Sequence, residues 1–397
     1  MFKQDNQNQL ATVKTLIKDV LLCEEVIAFP LDVRMGKDIG GLIDRECFQL
    51  IEEAIDRDYW NDPYQEMPKI DKKEDFGTQI PSIEELVFFG GRLNDHFGHF
   101  LLESLSRLWA YEAFRQFDPY IFFYTPWGMP DYLEKNNYIY QVLSGFQIPH
   151  QKLIFTDRPI RLRKVIIPCQ KYGRYSDIKN PEPIFLDFLK KFQFPQVKPT
   201  GFENVDKIYV SRSKLPANMG RIIGESLFEE YLISQGYKIF NPEKFEFFEQ
   251  LTVYQNANKI IFSGGSAAHA CLLLPDLQAD VSVIFRWPGS NSRWDEVRQG
   301  IADQFRAYGK EVLSVDTVKG QYRFGLDPWS GLSNIDWYQA SILLQKEGFV
   351  TQPFYQFQEI NERDLAKGYL ETYIKEIANR SEFIDFMIGL QYLTEGH

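Results

Sequence analysis

The stretch Lys207–Phe285 decides the fold: KIYVSRSKLPANMGRIIGESLFEEYLISQGYKIFNPEKFEFFEQLTVYQNANKIIFSGGSAAHACLLLPDLQADVSVIF. Short runs rich in β-branched and aromatic residues, Lys207–Val210, Tyr237–Phe240, Lys259–Phe262 and Val281–Phe285, alternate with segments of helical spacing. Those segments are Ile222–Gln235, closed by Gly236, then Phe245–Asn256 and Ser266–Leu274. Strands that return through helices predict a parallel, doubly wound α/β sheet.

Within this stretch two loops carry the chemistry. The turn Ser263-Gly264-Gly265-Ser266 joins a strand to a helix start, where glycine permits close backbone approach and free N–H groups attract anions. Ser266 is placed to cap the helix and bond a phosphate oxygen. A tight β–α connection with no ligand fits this turn equally well. The loop after the first strand, Ser211–Arg221, adds Arg212, Lys214 and Arg221. In an open α/β sheet ligands bind beyond the carboxyl ends of strands, and arginine suits bidentate contact with phosphate. The loop therefore reads as a diphosphate cradle, against the plainer reading of a solvated basic loop.

Upstream, the pattern is again alternating. Leu86–Phe89 predicts a strand, Phe97–Phe117 a long helix, Tyr120–Tyr124 a strand and Asp131–Ser144 a helix, with short strands at Lys152–Phe155 and Lys164–Ile167. A mostly parallel first domain follows. At the head of its long helix stand Asn94, His96, His99, Glu103 and Arg107. His99, Glu103 and Arg107 are spaced i, i+4, i+8, which puts them on one stripe, with Glu103 able to support His99 as a general base. An ordinary helix-surface pair is the alternative.

Residues 1–80 are less patterned: a helix is expected around Val13–Leu22, then the apolar run Val26–Pro30, an amphipathic stretch near Cys47–Asp58 and a polar loop over Ile70–Asp75. The Pro- and Gly-bearing stretch Lys191–Glu203 reads as a linker. Past Val315 the pattern loosens, with residues 321–360 aromatic and irregular and Asn361–Leu393 helical. These readings give three segments. Residues 1–200 form an α/β domain holding the candidate base. Residues 201–320 form the nucleotide domain. Residues 321–397 are an extension expected to pack back on the first domain.

The formal net charge of −11 argues against nucleic acid as the main partner. Cys23, Cys47, Cys169 and Cys271 lie far apart and form no metal-ligand pattern, so they read as reduced thiols in the cytoplasm. The N-terminus carries no apolar core of signal-peptide length, and no apolar run is long enough to span a membrane. Asp56-Arg57-Asp58 matches the DxD pattern of metal-dependent sugar transfer but falls in a stretch of helical spacing, where it reads as a solvated face. Gly264–Ala268 is one residue short of a nucleophile elbow, and beyond His269 only His397 is available as a later histidine, which disfavours an α/β-hydrolase.

The run His96–Trp109, HFGHFLLESLSRLW, resembles the GHFLLE-x-L-x-RLW block of bacterial family 61 glycosyltransferases of the capsular polysaccharide biosynthesis type. Tyr209–Arg212 is similar to that family's ISR strand end, and Arg221–Glu225 to its R-x-x-x-N-E, with Gly224 in place of asparagine. Gly236-Tyr237, then Asn241-Pro242-Glu243 and Gln250, resemble its GF…PE…EQ run, and Ser263–His269 stands at its small-residue turn, reading GGSAAH rather than HGA. The resemblance covers about residues 85–285. It implies a GT-B-like architecture of two facing Rossmann-like domains and inverting, metal-independent transfer from a nucleotide sugar, a UDP-sugar being the first expectation. No other cofactor is implied. The acceptor would be a glycan or lipid-linked glycan, with peripheral contact at the inner face of the membrane left open. On this resemblance His99 and Glu103 form the base. Arg212, Lys214, Arg221, Gly264, Gly265 and Ser266 hold the diphosphate. Asn94, His96, Glu225, Glu243, Gln250 and His269 are further cleft candidates. Two alternatives stay open, a pyruvyl-type transferase on the same fold and a catalytically silent scaffold that binds glycan or protein.

Overall fold

In a computed structural model the described residues are 10, 13, 17–34, 37–47, 49–55, 65–66, 80–94, 96–124, 137–173, 180–216, 219–287, 292–322 and 331–355. The chain forms two compact units, Met1–Phe194 and Pro195–His397.

The first unit is built on a seven-stranded sheet. Its strands are β1 (Val20–Arg34), β2 (Lys37–Asp44), β3 (Gln65–Glu66), β4 (Ser82–Arg92), β5 (Tyr120–Tyr124), β6 (Leu153–Ile154) and β7 (Ile160–Pro168). The order is β3-β2-β1-β7-β4-β5-β6. β7, β4, β5 and β6 run parallel, while β1 is antiparallel to both β2 and β7. The sheet is therefore mostly parallel, as expected, with β1 as its antiparallel member. The helix expected over Val13–Leu22 gives way at a turn over residues 17–19, and Val20–Leu22 already belong to β1. The apolar run Val26–Pro30 lies inside that strand, where Val26 and Ala28 join Val87, Phe89, Leu162 and Val165 in the core. Glu52–Ala54 is a single 3-10 turn. Asp56–Asp58 and the loop at Ile70–Asp75 lie outside the described residues. Helices α1 (Asn137–Gly145) and α2 (Pro183–Leu189) complete the unit.

The expected long helix Phe97–Phe117 is helical but broken. It passes through an α turn at Phe97–His99, a π turn at Phe100–Ser104, and 3-10 and α turns from Leu108 to Phe117. Its apolar side packs under the sheet, with Phe100, Leu102, Leu105, Leu108 and Phe114 fully buried.

The second unit follows the predicted alternation closely. β8 (Lys207–Val210), α3 (Glu225–Ser234), β9 (Lys238–Phe240), α4 (Phe247–Asn256), β10 (Lys259–Ser263), β11 (Asp280–Ile284), α5 (Ser292–Arg306) and β12 (Val312–Val315) succeed one another. A capping box of Glu246 and Glu249 starts α4. The sheet order is β12-β11-β10-β8-β9, with every pair parallel. From β8 the chain steps first to β9 on one side, then to β10 on the other. The strand order thus reverses between β8 and β10, the position where open α/β sheets bind ligands beyond the strand ends. The first unit has the same feature between β4 and β7, since β5 and β6 lie on one side of β4 and β7 on the other.

Residues 331–355, read from sequence as irregular and as part of an extension on the first domain, are instead a piece of the second unit. β13 (Val318–Tyr322) pairs with β14 (Leu332–Ile335), and α6 (Trp337–Lys346) follows, capped by Asp336 accepting from Gln339 N–H. Trp337 stacks on Phe228 with ring centroids 4.3 Å apart and donates its indole N–H to Ile223 O at 2.7 Å. Tyr237 Oη–H donates to Phe349 O at 2.9 Å. The apolar face of α3 needs this cover, and Trp337, Ala340, Leu344, Phe349 and Phe354 supply it. Residues 361–393 lie outside the described part.

Candidate functional site

In the first unit the sequence-selected residues collect just past the carboxyl end of β4. Leu93 N–H donates to Tyr124 O at 2.7 Å, which continues the strand pairing, and Asn94 N–H donates to Ser104 Oγ at 2.9 Å. That second bond folds the loop over the helical segment and leaves Asn94 buried. His96 is exposed and meets His99 edge-to-face, ring centroids 5.0 Å apart.

His99 Nδ1 lies 3.0 Å from Glu103 Oε2. Glu103 is 8% exposed, and its other oxygen, Oε1, is buried without a hydrogen-bond partner among the described residues. A buried carboxylate oxygen with no donor is costly, so the fold spends stability to hold it there. An ionised Glu103 accepts the Nδ1 proton and leaves Nε2 as the basic nitrogen of His99.

The expected stripe does not extend to Arg107. The π turn, closed by Leu105 N–H to Phe100 O at 3.2 Å, shifts the helical phase. Arg107 is driven into the core, where its guanidinium donates to Glu53 O, Ile55 O and Pro168 O and lies over the Phe89 ring. Its work is structural.

In the second unit Arg212 follows β8 directly. Its backbone N–H donates to Glu225 Oε1 at 3.0 Å, and its guanidinium donates to the carbonyls of Met219 and Gly220. Carbonyls take its protons without cancelling its charge. Burial pushes the Arg212 pKa down, and the carboxylates of Glu225 and Glu243 oppose that shift. Nη1 rests against Gly265 so closely that a methyl there would collide with it. A Cβ on Gly264 would meet Ile284 O at 2.8 Å. Both glycines are thus required by close approach, one to a cation and one to the next strand. Ser266 opens a 3-10 run to Leu273, and Gly265 stands at the cap position with no side-chain bond, which corrects the expected capping role of Ser266.

Glu225 heads α3 and is fully buried. Oε1 accepts from Tyr209 Oη–H at 2.9 Å as well as from Arg212 N–H. Burial raises its pKa, while the hydrogen bonds from Arg212 N–H and Tyr209 Oη–H favour the charged form and oppose that rise. Lys214 is exposed, and Arg221 donates through Nε to Leu215 O at 2.6 Å, which braces the same loop. Glu243 is exposed on the 3-10 turn after β9. Gln250 donates to Pro242 O and Phe245 O, so it pins that turn. His269 is buried with Nδ1 2.9 Å from Gln304 Oε1, inside the unit and not at a strand end.

One residue at this site escaped the sequence reading. Arg286 follows β11, is buried, and donates from Nε to Gly264 O at 3.1 Å while its guanidinium covers the Trp287 ring. A cation directly after a strand that flanks a glycine turn was the only signal. Among the described residues no group of three or more His, Cys, Asp or Glu is arranged to hold a metal ion. No helix among them is long and apolar enough to cross a membrane.

None of the curated proteins compared with the chain matches it. Residues 97–281 match the model of the family Glycosyltransferase 61. The matched span begins at the helical segment that carries His99 and Glu103 and ends in β11, past the Arg212 loop and the glycine turn. Residues 97–281 are thus a glycosyltransferase 61 domain, and the protein that carries it is an enzyme that transfers a sugar from a donor to an acceptor.

Proposed function

We propose that the enzyme is an inverting, metal-independent glycosyltransferase of GT-B type, using a nucleotide sugar, with a UDP-sugar as the leading candidate donor. The first unit takes the acceptor, a hydroxyl of a glycan or glycoconjugate in surface polysaccharide synthesis. The second takes the donor. Two units, each with parallel strands that reverse order beside the candidate residues, support the GT-B reading.

One observation carries the donor assignment. Arg212, charged and tied only to carbonyls through its guanidinium, is lodged against Gly265 at the reversal point of an all-parallel sheet. A nucleoside diphosphate leaving group needs compensation of its charge as the glycosidic bond breaks. Arg212, Lys214, Arg221 and the amides of Gly265 and Ser266 provide it in this reading.

The acceptor oxygen attacks the anomeric carbon in line, and its proton passes to His99 Nε2. The bond from the anomeric carbon to the diphosphate oxygen breaks, and its electron pair leaves on that oxygen. A single displacement inverts the configuration. Glu103 orients the ring and stabilises the imidazolium.

A thermal-shift panel of UDP, GDP, CMP and their sugar conjugates tests this. Stabilisation by one nucleotide that is weakened in Arg212→Ala supports it. No stabilisation by any of them sinks the donor assignment. Hydrolysis of the bound donor without acceptor then separates transfer from mere binding.

A further inference from the structure

The basic loop of the donor site is held from below by one side chain of α3. Glu225 Oε1 receives Tyr209 Oη–H at 2.9 Å from β8 and Arg212 N–H at 3.0 Å from the basic loop, with Ser211 Oγ at 3.5 Å. One turn along α3, Glu229 accepts from Ser211 Oγ–H and Ser213 Oγ–H, the residues on either side of Arg212. Two carboxylates four residues apart therefore grip Ser211-Arg212-Ser213 by a backbone N–H and two hydroxyls.

We infer that Glu225 is a positioning residue, which fixes the backbone of Arg212 so that its guanidinium meets the Gly264-Gly265 turn, and which acts on the donor only through Arg212. The inference rests on the donor assignment given above. Electrostatics alone predicts the reverse. A carboxylate beneath a diphosphate site repels the ligand, so removing its charge should tighten binding. Its retention beside the proposed anion site is explained if alignment of Arg212 outweighs that repulsion.

The test uses the full-length protein and UDP, with GDP and CDP beside it, titrated calorimetrically below the melting temperature of each variant. Glu225→Gln keeps an acceptor oxygen for Arg212 N–H and Tyr209 Oη–H. Glu225→Ala removes it, and Glu225→Met removes it with less lost volume. All three remove the same charge. Positioning predicts that Glu225→Gln binds within about threefold of the parent, while Ala and Met each bind about tenfold or more weakly. In an Arg212→Ala background the Ala and Met changes should have no further effect. If all three variants bind alike, or if the Ala and Met losses persist in full without Arg212, Glu225 is not positioning Arg212. If the parent itself binds none of the three nucleotides, the donor assignment fails instead, a result distinct from either.

Discussion

His99 Nδ1 and Glu103 Oε2 stand 3.0 Å apart across a π turn, a turn one residue wider than the α-helix. π turns recur at functional sites because they displace side chains out of the regular helical phase. Here the displacement separates neighbours of similar spacing: Glu103 meets His99, while Arg107 goes to the core.

The separation predicts two kinds of mutant. His99→Ala should lower kcat by about 10²–10⁴-fold with nucleotide affinity unchanged. Glu103→Gln should bring a comparable loss, because the amide can donate to Nδ1 and so force the wrong tautomer. Arg107→Ala, by contrast, strands three carbonyls and should cost about 3 kcal/mol or more of stability. Single-turnover rates and chemical denaturation, measured on the same preparations, check both. Full activity in His99→Ala would end the base assignment.

The adjoining glycines of the second unit should fail differently. A methyl at Gly265 collides with a flexible guanidinium, so Gly265→Ala should fold, displace Arg212 and weaken UDP binding at least about tenfold. A methyl at Gly264 meets backbone, Ile284 O at 2.8 Å and Arg286 N at 3.2 Å, which cannot give way cheaply. Gly264→Ala should therefore lose stability, by about 1–3 kcal/mol. Melting curves with and without UDP distinguish the two.

Much of this was legible in the sequence, for reasons that can be named. β8, β10 and β11 are short and buried over all but their first residue, and each is bounded by glycine, proline or charge, so local pattern and final structure coincide. The Arg212 loop and the glycine turn were legible because parallel α/β topology brings consecutive strand ends to one edge. What was missed depends on distant partners. Pro30 and the charges of β1 mask a strand that exists because β2 and β7 flank it. Arg107 looks like a surface residue until Glu53, Ile55 and Pro168 present their carbonyls. Arg286 carries no motif at all, and its place is set by a glycine 22 residues earlier.

The residues after β13 make the same point, and their role can be measured. Trp337 is 1% exposed, stacks on Phe228 and bonds to the backbone before α3. Trp337→Ala should cost about 3–5 kcal/mol and lower the melting temperature of the second unit. A variant that melts like the parent would mean that α6 is not part of that core.

Glu225 gives a pH signature whose sign is fixed by burial. Burial raises its pKa above the ordinary carboxylate value, and the hydrogen bonds from Arg212 and Tyr209 offset only part of that. The folded state therefore binds this proton more tightly than the unfolded chain. The associated stability is fully present below the unfolded pKa, near 4.5, and is lost as pH rises through the higher folded value. At neutral pH the charged carboxylate is then a net cost to folding. Glu225→Gln abolishes the titration while retaining an acceptor oxygen. Its stability relative to the parent should rise as the pH is raised from about 4 through the folded pKa, then level off. Denaturant unfolding of both proteins across that range measures the difference directly, since the titrations they share cancel. A difference that falls with pH over the same interval would mean that the hydrogen bonds outweigh burial, and that Glu225 stabilises the fold in its charged form.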